Sequence, residues 1–224
     1  MPPWHGGGWG SIPHRSTTKK YMKKQKAFAG YANIDRREFM SKLQPILSPR
    51  DLEMIETAYV LAKYGHRDQM RDNGHVRYFE HPKTVAWILV DELKVADAQT
   101  IVMALLHDVL EDSHILSPYR IELNFGKEVV VGLKLLTKQP KEGYLKRLKT
   151  YATAKTLSVK LCDRLHNLRT LDGCTISKQK EQVEETKKYY IPLAEHLVTL
   201  LSKKDRWRGE YLENEIKKIC AQYE

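Results

Sequence analysis

Residues 104–112 read ALLHDVLED: an apolar run leads into adjacent His107 and Asp108, two more apolar residues, then adjacent Glu111 and Asp112. Four ionisable groups beside so greasy a segment are costly unless something holds them. On a helix turning about 100° per residue, His107, Asp108, Glu111 and Asp112 fall on one side. Val102, Leu105, Leu106, Val109 and Leu110 fall on the other. A carboxylate-rich face with one imidazole suits a divalent cation that accepts oxygen and nitrogen ligands, such as manganese, iron, zinc or magnesium. On its own, the same face also reads as a solvated helix surface. A second segment, KLCDRLHNLRTL, sets Leu161, Leu165 and Leu168 along one side of a helix and Asp163, Asn167 and Thr170 along the other. His81 stands directly before Pro82, where the backbone is restricted and a side chain can be aimed reproducibly. Together, His81, His107, Asp108 and Asp163 offer two imidazoles and two carboxylates, which leaves positions open for water on a six-coordinate ion.

The elements that must position these groups read as helices. Helical patterning begins near Asp35. Ser48-Pro49, followed by Asp51 and Glu53, signals a helix start with acids in the first turn. Leu52, Ile55, Ala58, Tyr59 and Ala62 carry the apolar period on, and Gly65 stops it. HRDQMRDNGHVRYFEHP is a loop centred on Asn73-Gly74. Pro82 opens the next helix, and Asp97 caps the one that leads into ALLHDVLED. Ser117-Pro118 starts another, followed by KEVVVGLKLLTK; VVV alone fits a strand, but its flanks are helical and no alternating partner exists. YLKRLKTYATAKTLSVKLCDRLHNLRTL reads as one amphipathic helix, KQKEQVEETKKYYIPLAEHLVTLL as a second interrupted by Pro192, and RWRGEYLENEIKKICAQY as the last. The expected fold is a single all-α domain of about eight to eleven helices.

A chain of 224 residues, 42% of them apolar, buries a proper core without staples. Cys162, Cys174 and Cys220 are odd in number and form no CxxC pair, which argues for a reducing compartment and against a thiolate zinc site. The apolar run Ile101–Leu106 is far below the roughly 18 residues of a membrane span, and no signal-peptide core follows the N-terminus. A soluble, cytoplasmic protein without membrane partners is expected. The net charge of +10 is uneven: residues 1–37 hold eight Lys or Arg against Asp35, leaving only +3 for the remainder. Residues 1–37, rich in Gly, Pro, Ser and Thr at their start, therefore read as a disordered basic arm, and residues 38–224 as the folded domain. Contact between this arm and nucleic acid is the less favoured reading.

The pattern His81…His107-Asp108…Asp163 resembles the HD superfamily of metal-dependent phosphohydrolases. HRDQMR…NG…HP, LLHDVLEDS, FGKEVVVGLKLLTK and KLCDRLHNLRTL together resemble the hydrolase domain of the RelA/SpoT family, which removes the 3′-pyrophosphate from the alarmones ppGpp and pppGpp of the stringent response. The resemblance covers roughly residues 50–200. It implies an HD-domain helical bundle acting as a stand-alone small alarmone hydrolase, with guanosine tetra- or pentaphosphate as its small-molecule substrate. It further implies that His81, His107, Asp108 and Asp163 ligate one Mn²⁺, while Glu111 and Asp112 orient the attacking water, accept its proton and help hold the leaving group. Arg71 would stack on guanine, Asn167 and Thr170 would contact the nucleoside, and Lys138, Arg147 and Tyr189 (or Tyr190) would meet phosphates or sugar. Arg164 and His166 read as supporting or ion-pairing groups, His66 as an orienter of the Arg71 loop, and His75, His114 and His196 as surface or structural. Where the family carries a basic residue and Ser before the glycine, the chain has Asp72-Asn73-Gly74. Two other readings stand beside this one: a phosphohydrolase acting on a nucleotide 3′-phosphate or NADPH, and a non-catalytic binding module that uses the basic arm. Oligomeric state is not legible.

Overall fold

The computed structural model describes residues 30–71, 74–113 and 116–223. Residues 1–29, Asp72, Asn73 and His114 lie outside the described residues, and with them most of the expected arm. The described chain is helical, as the periodicity predicts; its β structure is an isolated bridge between Met70 and Arg77. Helix α1 (Arg36–Leu43) starts where the Asp35 carboxylate accepts from the Glu38 amide at 2.8 Å. Helix α2 (Pro49–Gly65) is capped by Ser48, whose hydroxyl accepts from the Asp51 amide at 3.2 Å. Helix α3 (Glu80–Trp87) runs on through a π-turn, Ile88–Glu92. Helix α4 (Ala98–Leu106) begins at the expected cap, Asp97, which accepts from the Thr100 amide at 2.8 Å.

ALLHDVLED is not one continuous helix. Helix α4 ends at Leu106, His107 and Asp108 form a turn, and α5 (Val109–Asp112) follows. The side chain of His107 competes for the backbone: its Nδ1 lies 2.8 Å from the Ala104 carbonyl oxygen. Val102, Leu105, Leu106 and Val109 remain buried, so the two-sided character of the motif survives the break.

Helices α6 (Pro118–Phe125) and α7 (Lys127–Leu136) meet at Gly126, and VVV is helical within α7. The long amphipathic segment after it divides into α8 (Tyr144–Tyr151) and α9 (Ala154–Arg169). Thr153 makes the division: its hydroxyl accepts from the Thr156 amide at 3.3 Å, and an N-cap in extended conformation cannot continue a helix. Helix α10 (Ile176–Glu185), a π-turn (Thr186–Tyr190) and α11 (Ile191–Leu200) run end to end, with Pro192 in the first turn of α11. Helix α12 (Arg206–Cys220) closes the fold.

Helix α9 is the hub. It packs against α3, α4, α7, α11 and α12, and every residue from Thr156 to His166 is buried. Its polar side is thus enclosed by neighbouring elements. Gly132 on α7 marks one close approach, because a Cβ there would collide with the buried Met103 side chain of α4 and lie 3.2 Å from Thr156 Oγ1 of α9. Gly132→Ala is expected to destabilise the fold by about 1–3 kcal/mol. A urea midpoint equal to that of the parent protein would refute this account of the contact.

The fold begins earlier than the boundary at residue 37 that the charge run suggests. The Ala32 amide donates to Thr84 Oγ1 at 3.0 Å, and Lys83 Nζ donates to the Ile34 carbonyl at 2.8 Å. Residues 30–35 therefore lie against α3 as part of the body.

Candidate active site

Three elements bring the four expected metal ligands to one point. His81 stands at the start of α3, His107 and Asp108 in the turn between α4 and α5, and Asp163 on α9. His81 Nε2 lies 3.2 Å from His107 Nε2, 3.1 Å from Asp163 Oδ1 and 3.7 Å from Asp108 Oδ2. His107 Nε2 lies 3.1 Å from Asp108 Oδ2 and 3.9 Å from Asp163 Oδ1. Ligands ~2.1 Å from a shared ion and at right angles to each other stand ~3 Å apart, so these spacings fit one cation. His81, His107 and Asp163 are all buried.

Hydrogen bonds behind the ligands orient their lone pairs inward. A carbonyl only accepts, so neutral His107 carries its proton on Nδ1, facing Ala104, and turns the Nε2 lone pair to the cluster. His81 can do the same by donating from Nδ1 to His166 Nδ1, 2.6 Å away. Asp163 Oδ2 accepts from Lys160 Nζ at 2.9 Å, and Oδ1 accepts from Asn167 Nδ2 at 2.6 Å while facing His81. The donor set, two imidazoles and two carboxylates, suits a divalent first-row ion or Mg²⁺.

The charges are strongly perturbed. Burial brings the His81 imidazole down to about 4, although Asp163 beside it works the other way. Burial also opposes charge on His107, but the Asp108 carboxylate outweighs it and lifts His107 to about 9. For Asp163, burial would raise the carboxyl; Lys160 and the two imidazoles instead hold it well below the ordinary carboxylate range. Lys160 is buried too, yet Asp163 keeps its ammonium charged well above the usual pH.

Beside this cluster opens a cleft of about 220 Å³. Arg71, Lys138, Lys160, Arg164 and Lys178 line it, against the carboxylates of Asp108, Glu111 and Asp163. That excess of cations suits a polyanion. Arg71 is pinned: its guanidinium donates to Asn167 Oδ1 at 2.8 Å and sits 5.3 Å from the centre of the Tyr78 ring. Thr170 also lines the cleft. Glu111 Oε2 accepts from the Lys138 amide at 3.2 Å. Asp112 is tied to the cluster through Tyr78, whose hydroxyl reaches Asp108 Oδ2 at 2.8 Å and Asp112 Oδ2 at 3.1 Å. His66, stacked on Tyr78 and paired with Gln69 at 2.7 Å, steadies the loop that carries Arg71.

Two expected residues lie elsewhere. The Arg147 guanidinium donates to the carbonyls of Pro140 and Glu142, both at 2.5 Å, and so braces its own loop. Tyr189 lines a separate hollow with Lys141, Tyr144 and Lys146; Lys138 borders both spaces. Helix periodicity shows which residues share a face, but not which way that face looks once packed. Arg164 and His166 hold the supporting roles expected of them. Arg164 pairs with Glu185 at 2.8 Å beneath the Tyr190 ring, and His166 backs His81. Lys160 escaped the sequence reading although it extends the Asp163 stripe by one turn. Tyr78 escaped it because a loop residue carries no periodic signal.

Residues 58–199 match the HD domain family. Over 168 residues the chain is 34% identical to the bifunctional (p)ppGpp synthase/hydrolase SpoT of Escherichia coli K12, taking in 69% of this chain and 23% of that protein. A GTP pyrophosphokinase of Myxococcus xanthus is 38% identical over 162 residues, 66% of this chain and 21% of that protein. The chain thus spans less than a quarter of the length of these relatives. A solved structure described as a metazoan ortholog of SpoT that hydrolyzes ppGpp and plays a role in starvation responses superposes with a TM-score of 0.61 at 26% identity, covering 79% of this chain and 96% of that one. No helix among the described residues is long and apolar enough to cross a membrane.

Proposed function

The chain belongs to the HD-domain family, and from that premise we propose that it is a Mn²⁺-dependent hydrolase that removes the 3′-pyrophosphate of (p)ppGpp, yielding GDP or GTP and pyrophosphate. The observation that carries the reading is the convergence of His81, His107, Asp108 and Asp163 beside a cation-lined cleft that also holds Glu111. The SpoT relatives and the ppGpp-hydrolysing structural neighbour support the choice of substrate.

In this reading the four converging side chains would hold one divalent ion, which would supply Lewis acidity to the water and the phosphoryl group. Lys160 and Asn167 fix the Asp163 carboxylate, and Ala104 and His166 fix the two imidazoles. Water adds to the phosphorus bonded to the ribose 3′-oxygen, that P–O bond breaks, and the 3′-oxygen leaves as a hydroxyl. Glu111 and Asp112 take the proton from water and return one to the leaving oxygen. Arg71 offers its guanidinium face to the base, Asn167 and Thr170 meet the nucleoside, and Lys138 meets the phosphates.

The test is pyrophosphate release from ppGpp by the purified protein, alongside NADPH and nucleoside 3′-phosphates. Turnover of ppGpp with Mn²⁺, lost in EDTA and restored by Mn²⁺, is expected. Turnover of another nucleotide with none of ppGpp would overturn the substrate assignment and leave the hydrolase class standing.

A further inference from the structure

We propose that Tyr31, in the segment before α1, is a positioning residue that sets nucleotide affinity by holding Arg71 in the cleft wall. The proposal rests on the hydrolase reading for the nature of the ligand, and on the following geometry for the role.

Tyr31 lies outside the span that matches the HD-domain family, yet it lines the cleft. The segment carrying it is strapped down on both sides. Gly30 has φ +86, and a Cβ there would stand 2.8 Å from the Arg169 carbonyl oxygen and 3.2 Å from Thr170 Cγ2. Only glycine lets the chain lie this close to the end of α9 in that conformation. On the other side, Ala32 and Ile34 bond to Thr84 and Lys83, three and two residues beyond His81. Lys83 is itself buried and paired with Glu80 at 2.6 Å.

Held at both ends, Tyr31 makes two contacts in the site. Its ring stands edge-on to His166 at 4.8 Å, over the residue that backs His81. Its hydroxyl shares a hydrogen bond with Arg71. Arg71 comes from a loop, and its long side chain would otherwise sample many rotamers. Tyr31, Asn167 and Tyr78 together restrict it to one. A guanidinium has five N–H donors, so these contacts leave donors and a ring-like face for the ligand. Binding then loses less rotamer freedom.

The test is a double-mutant cycle on Tyr31→Phe and Arg71→Ala, read as the calorimetric Kd for GDP in the presence of Mn²⁺, with KM and kcat for ppGpp measured in parallel. Tyr31→Phe keeps the ring on His166 and removes only the hydroxyl. It is expected to weaken GDP binding and raise KM by about five- to tenfold, with kcat moving less. Added to Arg71→Ala, it is expected to cost nothing further, because the hydroxyl acts through the guanidinium. Gly30→Ala, which lifts the strap without touching Tyr31, should weaken GDP binding in the same direction. An unchanged Kd in Tyr31→Phe, or a loss that persists in full in the Arg71→Ala background, would overturn the role. Wild-type protein that binds GDP but does not turn over ppGpp would sink the hydrolase reading alone.

Discussion

Asp163→Ala is expected to abolish turnover and to weaken the fold in the same stroke. The carboxylate is buried on the hub helix, and each of its oxygens already has a partner: Lys160 on Oδ2, Asn167 on Oδ1, with His81 Nε2 3.1 Å from Oδ1. Removing it takes away one of the four proposed ligands, and turnover should fall by at least ~10³-fold, the scale seen when an essential catalytic group is deleted. It also strands Lys160, which is buried and held charged chiefly by Asp163. Leaving one partner of a buried ion pair uncompensated costs about 3–5 kcal/mol. The two effects separate in the double variant Asp163→Ala/Lys160→Met, where the stranded charge is gone. Its urea midpoint should return most of the way to that of the parent, while Mn²⁺ binding and turnover stay lost. An Asp163→Ala protein with parental stability and parental Mn²⁺ affinity would break both links.

How much of this was legible beforehand depends on what each signal measures. Capping is local chemistry, and Asp97, Ser48 and Ser117 cap helices as expected. The polar stripe of α9 was legible because period 3.6 places Asp163, Asn167 and Thr170 together whatever lies outside the helix. The period says nothing of how deeply the stripe is enclosed; in the fold, Lys160, Asp163 and Arg164 are all buried. The breaks at His107–Asp108 and at Ala152–Thr153 were missed for a related reason. Apolar spacing continues across a short turn, while the event that makes the turn is a side chain taking over a backbone group. Arg147 and Tyr189 sit on helix faces whose direction is set by packing, and packing turns both away from the cleft. Tyr31 and Tyr78 come from non-helical segments, and only the folded chain brings them to the site.

Glu111→Gln and Asp112→Asn are each expected to lower kcat by about 10²–10⁴-fold, the range for loss of a general acid–base group, while leaving the ion site assembled. Neither side chain is among the four proposed ligands, so calorimetric Mn²⁺ affinity should stay close to that of the parent. Their surroundings differ in a way that divides the work. Glu111 lines the cleft, with Oε2 on the Lys138 amide, where the proposed reaction would bring water and phosphate together. Asp112 is exposed, yet partial desolvation and the neighbouring Asp108 carboxylate push its carboxyl up, the direction that makes a carboxylate a better proton acceptor. Tyr78 carries one hydroxyl proton between two carboxylates, so it bonds Asp108 or Asp112 at any instant. Protonation of Asp112 during turnover would leave that proton free to serve Asp108, a ligand in the proposed site. If the two acids handle one proton in sequence, the double variant Glu111→Gln/Asp112→Asn should lose scarcely more than the worse single variant, as groups acting in one unit do. Losses that multiply would mean two independent steps, with Glu111 and Asp112 serving different oxygens. A Glu111→Gln enzyme with parental kcat would remove Glu111 from the chemistry and leave Asp112, through Tyr78, as the remaining base.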